Sequence, residues 1–180
     1  MTAEDVGKHL KPRAYYCPNT SLVAVENTHN RGGGLAFSPQ QIEPLVQTSR
    51  RNGLRLHLDG ARLWNAAVAL RVRESELAQP FDTVSVCFSK GLGAPIGSAI
   101  VGERALVEDA ALRFRKMLGG GMRQVGIVAA GALYALEHQR ERLVDDHEAA
   151  GRLAEALRGV EGVTVGEVPT NIVLADVRIP

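Results

Sequence analysis

The spacing of a few short apolar runs sets the limits on what this chain can fold into. SLVAV (21–25), LRLHL (54–58) and TVSVCF (83–88) are strand-sized, and the intervals between them are long enough to hold helices. The first is dense in valine and leucine, as in a strand buried on both faces. After it, Ser38-Pro39 has the form of a helix N-cap with proline at the first helical position, and Asn52-Gly53 is a stop signal. After the second run, the stretch from about Ala61 to Leu70 puts Leu63, Ala66, Ala67 and Leu70 on one helical face. Strand, helix and strand at this spacing is the βαβ pattern, which predicts an α/β fold: a mostly parallel sheet with flanking helices. SAIVG (98–102), beyond a glycine-bearing turn, supplies a fourth strand.

The second half changes character. Glu103 to Lys116 reads as helix, GGGMRQ (119–124) interrupts it, and a long helical stretch follows from about Val125 to Leu157, bent near Asp145-Asp146. GVTV (162–165) and NIVLADV (171–177) are strand-like. The expected organisation is therefore part of a large domain over residues 1–145 and the start of a small α+β domain over 146–180. No βα unit precedes the first strand and only three residues follow the last, so the sequence is expected to be truncated at both ends.

Composition narrows the function classes. Apolar residues make up 45%, charged residues 23% and the net charge is +1, the balance of an ordinary globular domain. Scattered basic residues and an aromatic content of 4% argue against a nucleic acid partner. No apolar run reaches the roughly 18 residues of a membrane span. MTAEDVGKHLKP lacks the apolar segment of a signal peptide. Cys17 and Cys87 are too few for a disulfide framework, and Cys87 within VSVCF reads as a small core hydrophobe, so a cytoplasmic setting is expected. No HExxH, CxxC or carboxylate–histidine cluster points to a metal.

In an open α/β sheet, ligands sit at the carboxyl ends of the strands. Three such ends are polar here: Glu26-Asn27-Thr28-His29, Asp59-Gly60-Ala61-Arg62 and Ser89-Lys90-Gly91. Only four of the 21 basic residues are lysines (Lys8, Lys11, Lys90 and Lys116), which makes Lys90 stand out. Between an apolar strand and the glycines at 91 and 93, its amine is expected to be partly desolvated and so a good Schiff-base nucleophile. The plainer alternative is a lysine that ends a strand and reaches solvent. Asp59 has the chemistry to face the pyridinium nitrogen of pyridoxal phosphate (PLP), with Arg62 on the following helical turn; the alternative for Asp59 is a helix cap. His57, between Leu56 and Leu58, reads as a packed histidine, and His29 as a weak acid–base candidate. GGGMRQ, with Arg115, Lys116 and Arg123 close by, is either an anion cradle or a bend between two helices.

Four stretches together carry a resemblance. VENTHNRGGG (25–34), LHLDGARLWNAAVAL (56–70), DTVSVCFSKGLGAPIGSAIVG (82–102) and RKMLGGGMRQVGIVAAGALYAL (115–136) resemble the low-specificity threonine aldolases of PLP fold type I in wording, order and spacing. The resemblance covers nearly the whole chain. It implies a Schiff base between PLP and Lys90, pairing of Asp59 with the pyridine nitrogen, Arg62 near the cofactor's O3′, and Arg123 and Lys116 in anion or substrate contacts. It also implies retro-aldol cleavage of an amino acid substrate, threonine or allo-threonine, to glycine and an aldehyde, in a homo-oligomer (dimer or tetramer). Family members carry an earlier stretch that cradles the cofactor phosphate and stacks a histidine on the ring. They also carry a later stretch with an arginine for the substrate carboxylate, and neither stretch lies within these 180 residues. Tyr15 and Tyr16 stand upstream of Pro18-Asn19-Thr20, where the family has an active-site histidine. The competing expectations are another fold type I enzyme (an aminotransferase or β-eliminating lyase, against which GGGMRQ speaks) and a catalytically inactive fragment.

Overall fold

The computed structural model describes residues 1–178. A four-stranded sheet lies at its centre, in the order β1 (Leu22–Glu26), β2 (Arg55–Gly60), β3 (Thr83–Cys87) and β4 (Ser98–Gly102). The first three strands are parallel and β4 is antiparallel to β3, so the mostly parallel sheet expected from the βαβ spacing is found. The reversal of β4 has a simple cause: residues 88–97 are fewer than the dozen or so that a parallel crossover needs.

Local signals set the helices of the first half. In α2 (Pro39–Arg51), Ser38 Oγ accepts from Gln41 N while Gln41 Oε1 accepts from Ser38 N, a reciprocal cap ahead of Pro39. Its buried face is Ile42, Leu45 and Ser49. α3 (Leu63–Leu70) buries Leu63, Trp64, Asn65, Ala66 and Ala67. The short helices α1 (Ala3–His9) and α4 (Glu74–Ala78) contribute Val6 and Leu77 to the same core. Leu56 and Leu58 of β2 are fully buried, whereas the intervening His57 is half-buried and meets Thr83 Oγ1 at 2.8 Å.

Asp82 locks the start of the β2–β3 ladder. Its carboxylate accepts from Leu56 N at 2.6 Å, from Arg50 at 2.7 Å and from Arg55 at 3.3 Å. Its own N–H donates to Leu56 O at 2.9 Å. Burial opposes ionisation of Asp82, but the bonds from Arg50 and Leu56 outweigh it and hold the pKa below the usual carboxylate value.

Beyond β4 the structure departs from the sequence expectations in three places. Leu106–Ala111 winds as a π-helix and leads into α5 (Leu112–Met117), within the expected helical span. The long helix expected from Val125 to Leu157 is instead two, α6 (Gly126–His138) and α7 (Leu143–Arg158), and the break falls at residues 139–142 rather than at Asp145-Asp146. There Arg140 turns aside to pair with Glu74 at 2.6 Å, and Leu143 becomes buried. Asp145 and Asp146 lie in the first turn of α7, where carboxylates complement the helix dipole, so they mark a start and not a bend.

The last strand is also shorter than expected. β5 (Val163–Val165) pairs antiparallel with β6 (Ala175–Val177), leaving residues 171–174 outside the sheet. Thr170 Oγ1, buried, donates to Gly34 O at 2.8 Å, and Leu174 and Ile172 lie against Gly33 and Gly34. The segment is held across the glycine loop after β1, which removes it from strand pairing. No helix of the described residues is long and apolar enough to cross a membrane.

Two outcomes test this account of the fold. Asp82→Ala should cost about 1–3 kcal/mol in urea unfolding at neutral pH. Because the folded-state pKa is lowered, that contribution is complete above about pH 4 and is lost as pH falls through the folded-state value, so variant and wild type should converge in acid. Gly53 (φ 69°) and Gly34 (φ 81°) both occupy the left-handed region, but an added Cβ meets nothing at Gly53 and strikes Thr170 Oγ1 at Gly34. Gly53→Ala should therefore cost about 1–2 kcal/mol for backbone strain alone, and Gly34→Ala at least about 1 kcal/mol more by the same measurement.

Candidate active site

Parallel register brings the three polar strand ends to one edge of the sheet. Glu26 stands opposite Asp59, and Asp59 opposite Ser85, so the chain leaves β1, β2 and β3 side by side.

The β2 exit carries Asp59 and Arg62. Asp59 is half-buried and its Oδ1 accepts from Ala61 N at 3.1 Å, a bond that turns the chain toward α3 and fixes the carboxylate. The capping alternative is thus present in part, at Ala61 ahead of the helix. Asp59 O also accepts from Asn27 N at 3.0 Å, which ties the β1 exit to the β2 exit. At Gly60 a Cβ would lie 2.9 Å from Ser85 O, so only glycine keeps β2 and β3 paired up to the edge. Arg62, half-buried, is the N-cap residue of α3 and makes no side-chain cap bond.

Lys90 follows β3 on a closed turn. Gly93 N donates to Lys90 O at 2.8 Å and Ala94 N to Phe88 O at 3.0 Å, while Phe88 packs on Trp64 with ring centroids 5.9 Å apart. Lys90 itself is exposed in this chain, not flanked by apolar side chains as its place after the strand suggests. The reason is geometric: the strand stops at Cys87, and the turn projects past the sheet edge. The next residue is the wedged one. A Cβ on Gly91 would lie 2.7 Å from Leu143 Cδ2 of α7 and 3.3 Å from Asn65 Oδ1 of α3.

At the β1 exit the structure gives distinct roles to residues that the sequence marked only collectively, as a polar strand end. Asn27 is fully buried and bridges Phe37, donating from Nδ2 to Phe37 O at 2.9 Å and accepting at Oδ1 from Phe37 N at 3.1 Å. The available signal was an amide directly after a buried strand. Thr28 is buried and its Oγ1 has no hydrogen-bond partner among the described residues; the same holds for Asn171 Oδ1. His29 Nε2 lies 3.6 Å from Glu26 Oε2.

Lys116 and Arg123 stand elsewhere. Both are exposed, on a segment (100–131) that puts no side chain into the buried core, and among the described residues no bond joins them to the strand ends. Gly119 (φ 86°) and Gly121 (φ 142°) turn the chain between α5 and α6, which is the bend reading of GGGMRQ. Cavities of 860 Å³ (at Thr20 and Leu54) and 770 Å³ (at Arg55 and Asp82) open at the opposite sheet edge. A smaller one of 360 Å³ reaches Glu26 and His29. Asp59, Arg62 and Lys90 line none of these three.

Comparison with known proteins places this sheet and its strand ends in a family. The profile of the beta-eliminating lyase family matches residues 1–180. The chain is 45% identical over 165 residues to low-specificity L-threonine aldolase 1 of Arabidopsis thaliana, covering 91% of this chain and 46% of that protein. It is 40% identical over 177 residues to the low specificity L-threonine aldolase of Escherichia coli K12, covering 98% and 52%. The chain thus spans about half the length of the curated relatives it matches. A crystal structure of a candidate L-allo-threonine aldolase from Listeria monocytogenes superposes with a TM-score of 0.83 at 27% identity, over 97% of this chain and 47% of that one. Leishmania major threonine aldolase, at 19% identity, shares the fold with a TM-score of 0.79 over 94% and 50% of the two chains. With the family profile matched from end to end and the fold type I sheet reproduced, the chain belongs to the beta-eliminating lyase family.

Proposed function

We propose that the protein to which this chain belongs is a PLP-dependent threonine aldolase, a carbon–carbon lyase that cleaves threonine or allo-threonine to glycine and an aldehyde. The observation that supports this most is an amine, Lys90, and a carboxylate, Asp59, at the ends of adjacent parallel strands on one sheet edge. The relatives from Arabidopsis thaliana and Escherichia coli are named for that activity.

The residues present fit the cofactor. Lys90 offers a primary amine on an exposed turn and makes none of the ion pairs among the described residues. Asp59 is aimed in advance by its bond from Ala61 N. Thr28 keeps an unspent hydroxyl at the same edge, which a polar ligand can satisfy. When bound, PLP supplies an electron sink for the pair released as the substrate's Cα–Cβ bond breaks. Lys90 Nζ would hold the cofactor covalently, Asp59 would keep the ring nitrogen protonated, and Arg62 would set a positive charge on the O3′ side. Lys116 and Arg123 are assigned to cofactor or substrate anions, residues 1–145 to the large domain and 146–180 to the start of the small one.

Two wider assignments follow. Cys17 and Cys87 are unpaired, which favours the reducing cytoplasm. Leu112, Phe114, Met117, Leu118 and Ile127 stand exposed between β4 and α7, and a homo-oligomer, dimer or tetramer, would cover them.

The decisive experiment adds PLP to the purified chain, reduces with borohydride and maps the labelled peptide. Label is expected on Lys90, with a visible band that Lys90→Ala lacks. Aldehyde release from threonine should fall on the order of 10²-fold in Asp59→Asn, the range for one lost electrostatic partner. A wild type that traps no cofactor at Lys90 would overturn the assignment. Ammonia and a keto acid in place of an aldehyde would assign β-elimination, the chemistry in the family's name.

A further inference from the structure

The turn that carries Lys90 is gripped from two sides at the residue after it. Asn65 of α3 and Leu143 of α7, 2% and 1% exposed, both lie against Gly91. Asn65 Nδ2 is 3.1 Å from His147 Nε2, one helical turn beyond Leu143 on the same face of α7. An amide nitrogen donates and cannot accept, so the ring nitrogen must be the acceptor and unprotonated. Burial lowers the pKa of His147 against the opposing charge of Asp146, which keeps the accepting form at rest.

We infer that Asn65 and His147 form a clasp that positions the Lys90 turn, joining α3, α7 and Gly91 into one unit. The role toward cofactor chemistry rests on the function proposed above. A buried amide is costly unless bonded, so a core position next to a glycine turn would ordinarily hold an apolar side chain. Here the amide is spent on a directional bond between two helices, and its oxygen face sits beside the backbone of Gly91. Helix α7 leads directly into β5, so the second sheet is mechanically connected to the turn through Leu143 and His147. Asn65 and His147 touch no reacting atom in this account; they act through Gly91 on the direction of Lys90.

The test uses the full 180-residue chain without cofactor, comparing wild type, His147→Leu and His147→Gln by amide hydrogen exchange. Glutamine can place Oε1 where Nε2 accepts; leucine cannot. Exchange at Gly93 and Ala94, whose amides close the turn, should rise roughly tenfold in His147→Leu and return to within about twofold of wild type in His147→Gln, the scale of one hydrogen bond. The Leu58 amide of β2 should not change. Equal exchange in all three chains, a rise that spreads equally to Leu58, or glutamine behaving like leucine overturns the clasp. Borohydride trapping of PLP on the same three chains separates the two ideas. No label on the wild type sinks the cofactor reading, while the exchange comparison decides the clasp by itself. Label that forms more slowly in His147→Leu and is restored in His147→Gln supports both.

Discussion

Parallel pairing obliges each strand to be entered from one edge of the sheet and left from the other, and that constraint places every polar group of interest here. The entry edge is held by Asp82, which ties β2 to the approach of β3 through Leu56 and draws in Arg50 from α2. The exit edge is held by Asn27 N on Asp59 O. Between them Leu56 and Leu58 alternate with His57 and Asp59, so a slip of one residue would turn the leucines out and bury the carboxylate. The register that makes the core is therefore also the register that presents Asp59.

Much of this was legible because it is local. Strand and helix periodicity, the Ser38-Pro39 cap and the polar strand ends are written within a few residues of each other, and Asp59 and Lys90 could be paired because their strands follow in sequence. What escaped reading depends on distant partners. The break before α7 exists because Arg140 meets Glu74 and Leu143 meets Gly91, neither of which is visible from the helical pattern alone. Residues 171–174 have strand composition, but the Gly33-Gly34 loop takes them away from the sheet. Asn65 and His147 are separated by 82 positions, and nothing in either neighbourhood names the other. The exposure of Lys90 was not legible for a related reason: an apolar strand predicts its own burial, not what covers the turn after it.

A common device runs along the exit edge. Each strand leaves past a glycine that another group presses against: Gly34 against Thr170, Gly60 against Ser85 O and Gly91 against Leu143. Close approach of backbone replaces side-chain packing at all three, which leaves little room for lateral adjustment where the candidate groups stand. By contrast residues 103–131, after β4, add no buried side chain, and their course is described mainly by its winding.

That winding has a genetic corollary at the π-helix of Leu106–Ala111. A turn bonded five residues back contains more chain than an α turn, so it holds slack. Loss of one codon there can be absorbed by rewinding to α geometry, with Leu112–Met117 still facing as before. The same loss inside α5 would rotate everything upstream against everything downstream by about 100°. Length variation in this part of the chain should therefore be tolerated over those six residues and poorly on either side.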